Sequence, residues 1–240
     1  MARGYPDYQN PVNQVAGRLV DFSSIVTAQL GLASIDARGR LFWWDTFHEG
    51  LGAWIPTVGA GWFAPYITNA HAMVQPSCCC LPGDVGVGAG SSQIFRALQV
   101  ASPNTTGVEF SFLAKQSPSS IAVQMAMVRS LVAYYMTFTY LQDAGEVWLY
   151  AFGGPYLIAT LPVNSGNPQW TIAKLVINWP DMLGHHLLIG LDDYPLSAYV
   201  PDSAAVTNAD CVYLTITGST LNNLGLAQYL GHVYFTMDEP

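Results

Sequence analysis

The sequence predicts an all-β protein, an antiparallel β-sandwich that follows an extended N-terminal arm. From Leu41 onward, short segments rich in β-branched and aromatic residues succeed one another, separated by Gly, Pro, Asn and Asp. Stretches with a helical period are scarce, and no strand–helix alternation typical of a parallel sheet occurs. A length of 240 residues suits one main domain of this kind.

The chain divides into an arm, residues 1–40, and a sandwich, residues 41–240. The segment "RGYPDYQNPVNQ" contains two prolines and lacks any strand or helix period, which predicts an extended conformation. The following "DFSSIVTAQLGLAS" predicts a short helix capped by Asp21 or Ser23. An arm this polar becomes ordered against a partner. Its predicted docking residues are Arg3, Tyr5, Tyr8, Val12 and Leu19.

The alternation that defines a strand is clearest in "VEFSFLA". Val108, Phe110 and Phe112 are predicted to share one face of a strand. The opposite face then carries Glu109, Ser111 and Leu113.

The composition predicts an assembly. Charged residues make up 10% of the chain, against about 25% in a typical soluble domain, and apolar residues make up 51%. A surface so poor in charge exposes apolar patches, which mark places where another molecule binds. We therefore expect a homo-oligomer, with a trimer favoured.

The charge distribution excludes some partners. The first forty residues sum to +1 and the remainder to −9, without basic clusters, which argues against nucleic acid as a ligand. The longest apolar run is too short for a membrane-spanning helix, so no membrane partner is expected. The N-terminus lacks the apolar core of a signal peptide, which predicts synthesis in a cytoplasm.

Three of the four cysteines stand side by side, as Cys78, Cys79 and Cys80. In a strand Cys78 and Cys80 would share one face and Cys79 would lie on the other, so the three would not converge on one metal ion. Plain packing of small apolar side chains is therefore favoured. The alternatives are a disulfide, with Cys79 and Cys211 as the pair, and a metal site. We predict no bound metal and no cofactor.

No catalytic residue is predicted. "LGHHLLIGLDDY" concentrates titratable groups, but adjacent histidines point to opposite sides of a strand, and a solvated loop is favoured. The glycine-rich "GDVGVGAGSS" lacks the ending of a phosphate-binding loop and predicts a connection between strands.

Aromatic residues in loop-like segments suggest contact with carbohydrate, because their faces stack on sugar rings. The candidates are Trp62, Tyr156, Trp179, Tyr194 and Tyr199. The alternative is that these rings fill the core and subunit interfaces, where Tyr and Trp are enriched.

The order of "LFWWDTFHEGLGAW", "SCCCLPGD", "GVEFSFLAK" and "HVYFTMDEP" resembles concanavalin A-like (laminin G-like) jelly-roll domains over residues 41–240. The start "MARGYPDY" resembles tailed-bacteriophage virion proteins in which an arm precedes such a sandwich. The resemblance implies a non-enzymatic virion structural protein made in the host cytoplasm. It would be a capsid decoration (cement) or tail accessory protein, docked on capsid or tail proteins by its arm. The alternative is a lectin-like module that attaches to host glycans. An enzyme is a third reading that rests on the fold class alone.

Overall fold

The computed structural model describes residues 40–58, 63–69, 77–82, 90–99, 104–114, 119–162, 169–207, 210–220 and 227–239. Throughout these ranges the regular structure is β-strand, and they contain no helix able to cross a membrane. Residues 1–39 of the arm, with its docking residues and its predicted short helix, lie outside the described residues, and so does Trp62.

Sixteen strands are described. They are β1 (Arg40–Asp45), β2 (Ile55–Val58), β3 (Tyr66–Thr68), β4 (Cys78–Leu81), β5 (Gly90–Leu98), β6 (Thr105–Ala114), β7 (Ser119–Arg129), β8 (Val132–Leu141), β9 (Glu146–Ala151), β10 (Gly154–Thr160), β11 (Gln169–Asn178), β12 (Leu183–Ile189), β13 (Asp192–Pro195), β14 (Asp202–Ala205), β15 (Cys211–Thr220) and β16 (Gln228–Met237).

The strands form two antiparallel sheets. The first sheet has the order β13-β12-β11-β6-β16-β4-β3, with β1 also beside β16. The second sheet has the order β10-β9-β8-β7-β15-β5-β2, with β14 also beside β8. The last strand, β16, pairs with β6, and β15 pairs with β7, so both sheets join distant parts of the chain. This architecture confirms the predicted antiparallel jelly-roll sandwich.

Aromatic rings from both sheets meet at the centre of the core. Phe110 of the first sheet lies 5.1 Å from Phe138 of the second, edge to face, and Phe112 lies 5.2 Å from Tyr140. All four rings are buried. Because each pair bridges the two layers, these rings hold the sheets together at the typical separation of a sandwich.

The alternation predicted for β6 is confirmed, since Val108, Phe110 and Phe112 all belong to the core. The opposite side of β6 is buried as well: Glu109 is 1% exposed and Ser111 is fully buried. Around β6, the face of the first sheet that points away from the core is therefore dry, unlike the solvated face of an ordinary antiparallel sheet.

The motif "WWDTFHEGLGAW" connects the two sheets through contacts of its aromatic rings. The Trp54 ring stacks on Phe47 at 6.0 Å and meets Trp43 edge to face at 5.3 Å, while the Arg96 guanidinium of β5 lies 4.3 Å above Trp43. Asp45 accepts hydrogen bonds from the Phe47 amide (2.6 Å) and the Trp54 indole (2.8 Å). Burial raises the pKa of the Asp45 carboxyl despite these bonds. The aspartate thus fixes the turn that carries Trp54 into the core.

The cysteines pack as predicted. Cys79 joins the core between the sheets, whereas Cys78 and Cys80 lie on the opposite side of β4, and all three are fully buried. The alternative disulfide is wrong, because Cys79 and Cys211 are free thiols on strands of different sheets. Across the described residues no group of three or more His, Cys, Asp or Glu side chains is placed to hold a metal ion.

Replacing Phe138 by Ala should lower the free energy of unfolding by about 3–5 kcal/mol, because it removes the ring that bridges the sheets and leaves a cavity. Leu191→Ala is the matched control, since Leu191 is 97% exposed and its truncation should change stability by less than about 0.5 kcal/mol. Urea unfolding followed by tryptophan fluorescence measures both. Equal effects of the two substitutions would contradict this account of the core.

The thiols give a second prediction. In the native protein a thiol reagent at pH 8 should label at most one cysteine, Cys211, because the other three are buried. Labelling should accelerate above pH 9, because burial and the nearby Asp210 carboxylate raise the pKa of the Cys211 thiol. Denaturation without reductant should release all four thiols, and a count of two would reveal a disulfide.

Candidate functional site

The outer face of the second sheet, the face turned away from the core, carries the most distinctive surface of the described chain. On β8, Met136, Phe138 and Tyr140 enter the core. The intervening Tyr135, Thr137 and Thr139 therefore point outward. Of these three, Tyr135 and Thr137 are half-buried and can be reached by a ligand, whereas Thr139 is 8% exposed.

Strand β9 continues the outer face with two aromatic side chains. Val147 and Leu149 belong to the core, so Glu146, Trp148 and Tyr150 lie outside. Tyr150 stands opposite Thr137, and Trp148 stands opposite Thr139. The Trp148 indole donates a hydrogen bond of 2.9 Å to Glu146, which fixes the ring, and Tyr150 is 44% exposed.

Strands β7, β15 and β5 extend this face with small, hydroxyl and amide side chains. Gln124 donates to Thr137 (3.2 Å), and Thr217 donates to Gln93 (3.5 Å). At the side of β15 and β5, the rings of Tyr213 and Phe95 lie 5.6 Å apart. Donors, acceptors and aromatic rings thus alternate across several strands. Ala122 of β7, which is half-buried, lies between Thr217 of β15 and Thr139 of β8.

A groove of about 400 Å³ opens where β8 changes its neighbour. Residues 137–141 of β8 pair with β9, whereas residues 132–135 pair with β14. Where the two neighbours separate, Tyr135, Thr137, Thr139, Tyr150 and Asp202 line the space together with the turn between β9 and β10. We call this space the groove.

The groove contains a paired tyrosine and carboxylate. The Tyr135 hydroxyl donates to Asp202 at 3.3 Å. Burial, followed by the Asp202 charge, raises the pKa of Tyr135. The hydroxyl therefore stays protonated at neutral pH and remains a hydrogen-bond donor, while the carboxylate offers further acceptor positions.

The wall of the groove is a tight turn that requires glycine. Gly153 and Gly154 have φ of +94° and +138°, which other residues rarely adopt. A Cβ atom on Gly153 would lie 2.7 Å from the Tyr156 hydroxyl. That hydroxyl donates to the Phe152 carbonyl at 3.0 Å and so holds the turn in place.

The outer face of the first sheet carries a second polar cluster, which is closed. Ser111 Oγ lies 3.0 Å from His232 Nδ1, and His232 Nε2 lies 3.5 Å from Glu109. Nearby, Lys174 forms an ion pair of 2.8 Å with Glu239. A serine, a histidine and a glutamate in this order suggest a nucleophile with its base. However, all three are buried, and Ser111 Oγ already accepts from the His232 amide at 3.0 Å. The cluster is structural.

The predicted sugar-binding tyrosines lie outside the groove. Tyr156 and Tyr199 contact each other at 4.8 Å, and both pack against the core, as does Tyr194 of β13. Their role in sugar binding stays a prediction. For Trp179 the prediction is wrong: the ring is 2% exposed, and its indole donates to Thr106 inside the protein, so it offers no face for stacking.

The predicted solvated loop "LGHHLLIGLDDY" is instead the hairpin of β12 and β13. His186 is 5% exposed, and its Nδ1 lies 2.7 Å from His185 Nδ1, while Asp192 and Asp193 are exposed. The two histidines contact each other because a bulge beside His186 changes the alternation of β12. Asp192 pairs with Ile189 and Asp193 pairs with Leu188, so neither aspartate stands opposite a histidine.

The residues that line the groove were not found from the sequence. The candidates were sought in loops, whereas the groove is built mainly from strand residues. The signal lay in "AYYMTFTYL", where Tyr135, Thr137 and Thr139 stand at alternate positions, and in "EVWLYA", where Trp148 and Tyr150 do. The short strand β14, which brings Asp202 to the groove, has too little β-propensity to be recognised.

No protein-family model matches the chain, and a search of curated protein sequences found no match. Solved structures do match. A sialidase aligns with 84% of this chain at 11% identity and a TM-score of 0.55, and the aligned part spans 19% of the sialidase chain. A GH16 protein from a Bacteroides ovatus mixed-linkage glucan locus, in complex with a G4G4G3G product, aligns with 80% of this chain and 99% of its own at 12% identity and a TM-score of 0.51. Lectin II from Ulex europaeus aligns over 77% and 92% of the two chains at 11% identity and a TM-score of 0.49.

Identities of 11–12% show the fold alone. The strand order of the two sheets agrees with the fold of these similar structures. The jelly-roll fold expected from the sequence motifs agrees with it too. The chain therefore has the concanavalin A-like (laminin G-like) jelly-roll fold.

Proposed function

We propose that the chain is a carbohydrate-binding module that holds an uncharged glycan against the outer face of its second sheet. The observation that carries this proposal is the groove itself, in which Tyr150 and Tyr135 stand beside the hydroxyls of Thr137 and Thr139 and the carboxylate of Asp202.

These side chains match the chemistry of a sugar. A pyranose ring has C–H faces that pack on aromatic rings, and a rim of hydroxyls that both donate and accept hydrogen bonds. The groove is within the usual size of small-ligand sites, about 300–1,000 Å³. The structurally similar GH16 protein, which holds a glucan product, supports a neutral glycan as the ligand class.

The charges of the groove favour a neutral ligand. Its described lining contains Asp202 and no basic residue, and Glu146 is the other carboxylate on the outer face of β9. An anionic sugar would meet these carboxylates without a cation to pair with, which costs binding free energy. A sialylated or sulfated glycan is therefore a poor ligand.

The spacing of the two carboxylates on this described face supports binding without hydrolysis. Asp202 lies opposite Tyr135, and Glu146 lies opposite Leu141, six residues along β8. At about 3.3 Å per residue they are about 20 Å apart, well beyond the 5–9.5 Å that separates the acid and base of a glycosidase.

The sequence-based assembly hypothesis has its own support. Between residues 40 and 66, the strands β1, β2 and β3 and the segment before β3 expose apolar side chains. They are Phe42, Trp44, Ile55, Val58, Phe63 and Tyr66. We propose that a second copy of the chain covers this surface, and that the assembled module is carried on a virion through capsid or tail proteins. Each of the six is 41–61% exposed, and burying a large apolar side chain gains roughly 1.5–3 kcal/mol.

Tyr150→Ala should weaken binding of a neutral oligosaccharide at least 10-fold, about 1.4 kcal/mol, because it removes the stacking ring. The matched control is Tyr66→Ala, since Tyr66 is 50% exposed on the other sheet and its loss should leave affinity unchanged. A glycan array identifies the ligand, and titration calorimetry measures the affinities. Absence of any neutral glycan ligand, or equal loss in both variants, would contradict the proposal.

Light scattering should give a mass that is a multiple of the 26.0 kDa chain, with a trimer expected. Ile55→Lys should shift the protein toward monomer, because it places a charge in the proposed interface. Leu157→Lys, a change of equal chemistry on a 50% exposed residue of β10, serves as control. A wild-type protein that stays monomeric at high concentration would refute self-association while leaving glycan binding untouched.

A further inference from the structure

A second cavity, distinct from the groove, opens at the end of the sandwich. Its volume is about 490 Å³, and we call it the cleft. Met127 and Tyr134 form its floor from β7 and β8, while Phe152, Met182 and Val200 form its walls. The cleft and the groove lie on either side of the turn between β9 and β10, since Phe152 lines the cleft and Gly153 lines the groove.

The walls of the cleft are apolar and open to solvent. Phe152 is 66% exposed and Val200 is 43% exposed, and the Phe152 amide donates to the Val200 carbonyl at 2.9 Å. This backbone hydrogen bond holds the two side chains next to each other. Exposed apolar side chains that converge on a concave space mark a binding site for an apolar group.

The backbone around the cleft is strained. Ser130 and Leu131 form the two-residue turn between β7 and β8 with φ of +54° and +62°, and Met182 has a φ of +52°. Such turns normally use Asn or Gly. Ser130 is held by Asp210, which accepts from its amide at 3.0 Å. A non-glycine residue in this conformation costs free energy and persists only where the surrounding structure holds it. Such residues cluster at ligand-binding sites.

The cleft also has a cation at its mouth. Arg129 lines it and is exposed, and none of the ion pairs among the described residues involves it. The other described basic residues are engaged: Arg40 pairs with Asp238, Lys174 pairs with Glu239, and Arg96 lies over Trp43. Arg129 has no carboxylate partner among the described residues, so its guanidinium can pair with an anionic group of a ligand.

We infer that the cleft binds an amphipathic carboxylate, whose apolar chain lies between Phe152, Met182 and Val200 and whose head group pairs with Arg129. The planar guanidinium accepts a carboxylate through two parallel hydrogen bonds, and the apolar walls exclude water from the chain. This site is separate from the proposed glycan site and uses none of the side chains that line the groove, so each can be present without the other.

The test uses the full chain with ¹³C-labelled methionine methyl groups, titrated with sodium decanoate below its micelle concentration. The Met127 and Met182 signals should shift in a saturable way, while Met136 and Met237, which lie outside the cleft, should not. Arg129→Gln should weaken decanoate binding at least 10-fold. Arg40→Gln is the matched control and should leave it unchanged. An unchanged melting temperature of each variant shows that the fold is intact.

Decanol and a peptide with a free C-terminal leucine complete the design. Decanol has the same chain without the charge, so it should bind at least 10-fold more weakly than decanoate and should not respond to Arg129→Gln. Decanol binding as tightly as decanoate, or shifts spread equally over all methionines, would overturn the inference. Tighter binding of the peptide than of decanoate would also overturn it, because a protein terminus would then be the occupant.

Discussion

The register of β7, β8 and β15 is the constraint on which the rest of the structure depends. In these central strands of the second sheet every side chain belongs either to the core or to the outer face, with Phe138 on one side and Thr137 and Thr139 on the other. A slip of one residue would put the threonines into the core and the phenyl ring into water. The same pairing that stabilises the sandwich therefore also arranges the side chains of the groove.

The two outer faces differ in how deeply their polar side chains are buried. On the first sheet Lys174, Glu239 and Thr236 lie buried over Gly107, where a Cβ would come within 2.7 Å of Thr236 and 2.9 Å of the Lys174 and Glu239 side chains. Only glycine allows this close approach, and the buried charges are balanced inside the protein. The second sheet instead keeps Tyr150 exposed and leaves Tyr135 and Thr137 half-buried. A ligand that needs a broad surface thus has one suitable face on the described sandwich.

The fold was largely predictable, because strands such as β6 and β7 are long and carry apolar residues at alternate positions between clear turn signals. The strands β2 and β14 escaped prediction, because "IPTV" contains a proline and "DSAA" lacks β-forming residues. Both form only because a longer strand pairs with them.

The site was less predictable. Tyr134 and Tyr135 are neighbours of equal chemistry, and only the tertiary packing determines that Tyr134 packs inward while Tyr135 enters the groove. Trp179 shows the converse, since a tryptophan in a turn looks exposed until Thr106 supplies an internal acceptor for its indole.

The most direct test of a glycan-binding second sheet is methyl NMR of threonine during titration with a neutral oligosaccharide. The signals of Thr137 and Thr139, which line the groove, should shift and saturate at the affinity found by calorimetry. Those of Thr106 and Thr236, which are buried and hydrogen-bonded on the first sheet, should stay unchanged. Binding that leaves Thr137 and Thr139 unmoved would place the ligand elsewhere and contradict the central claim.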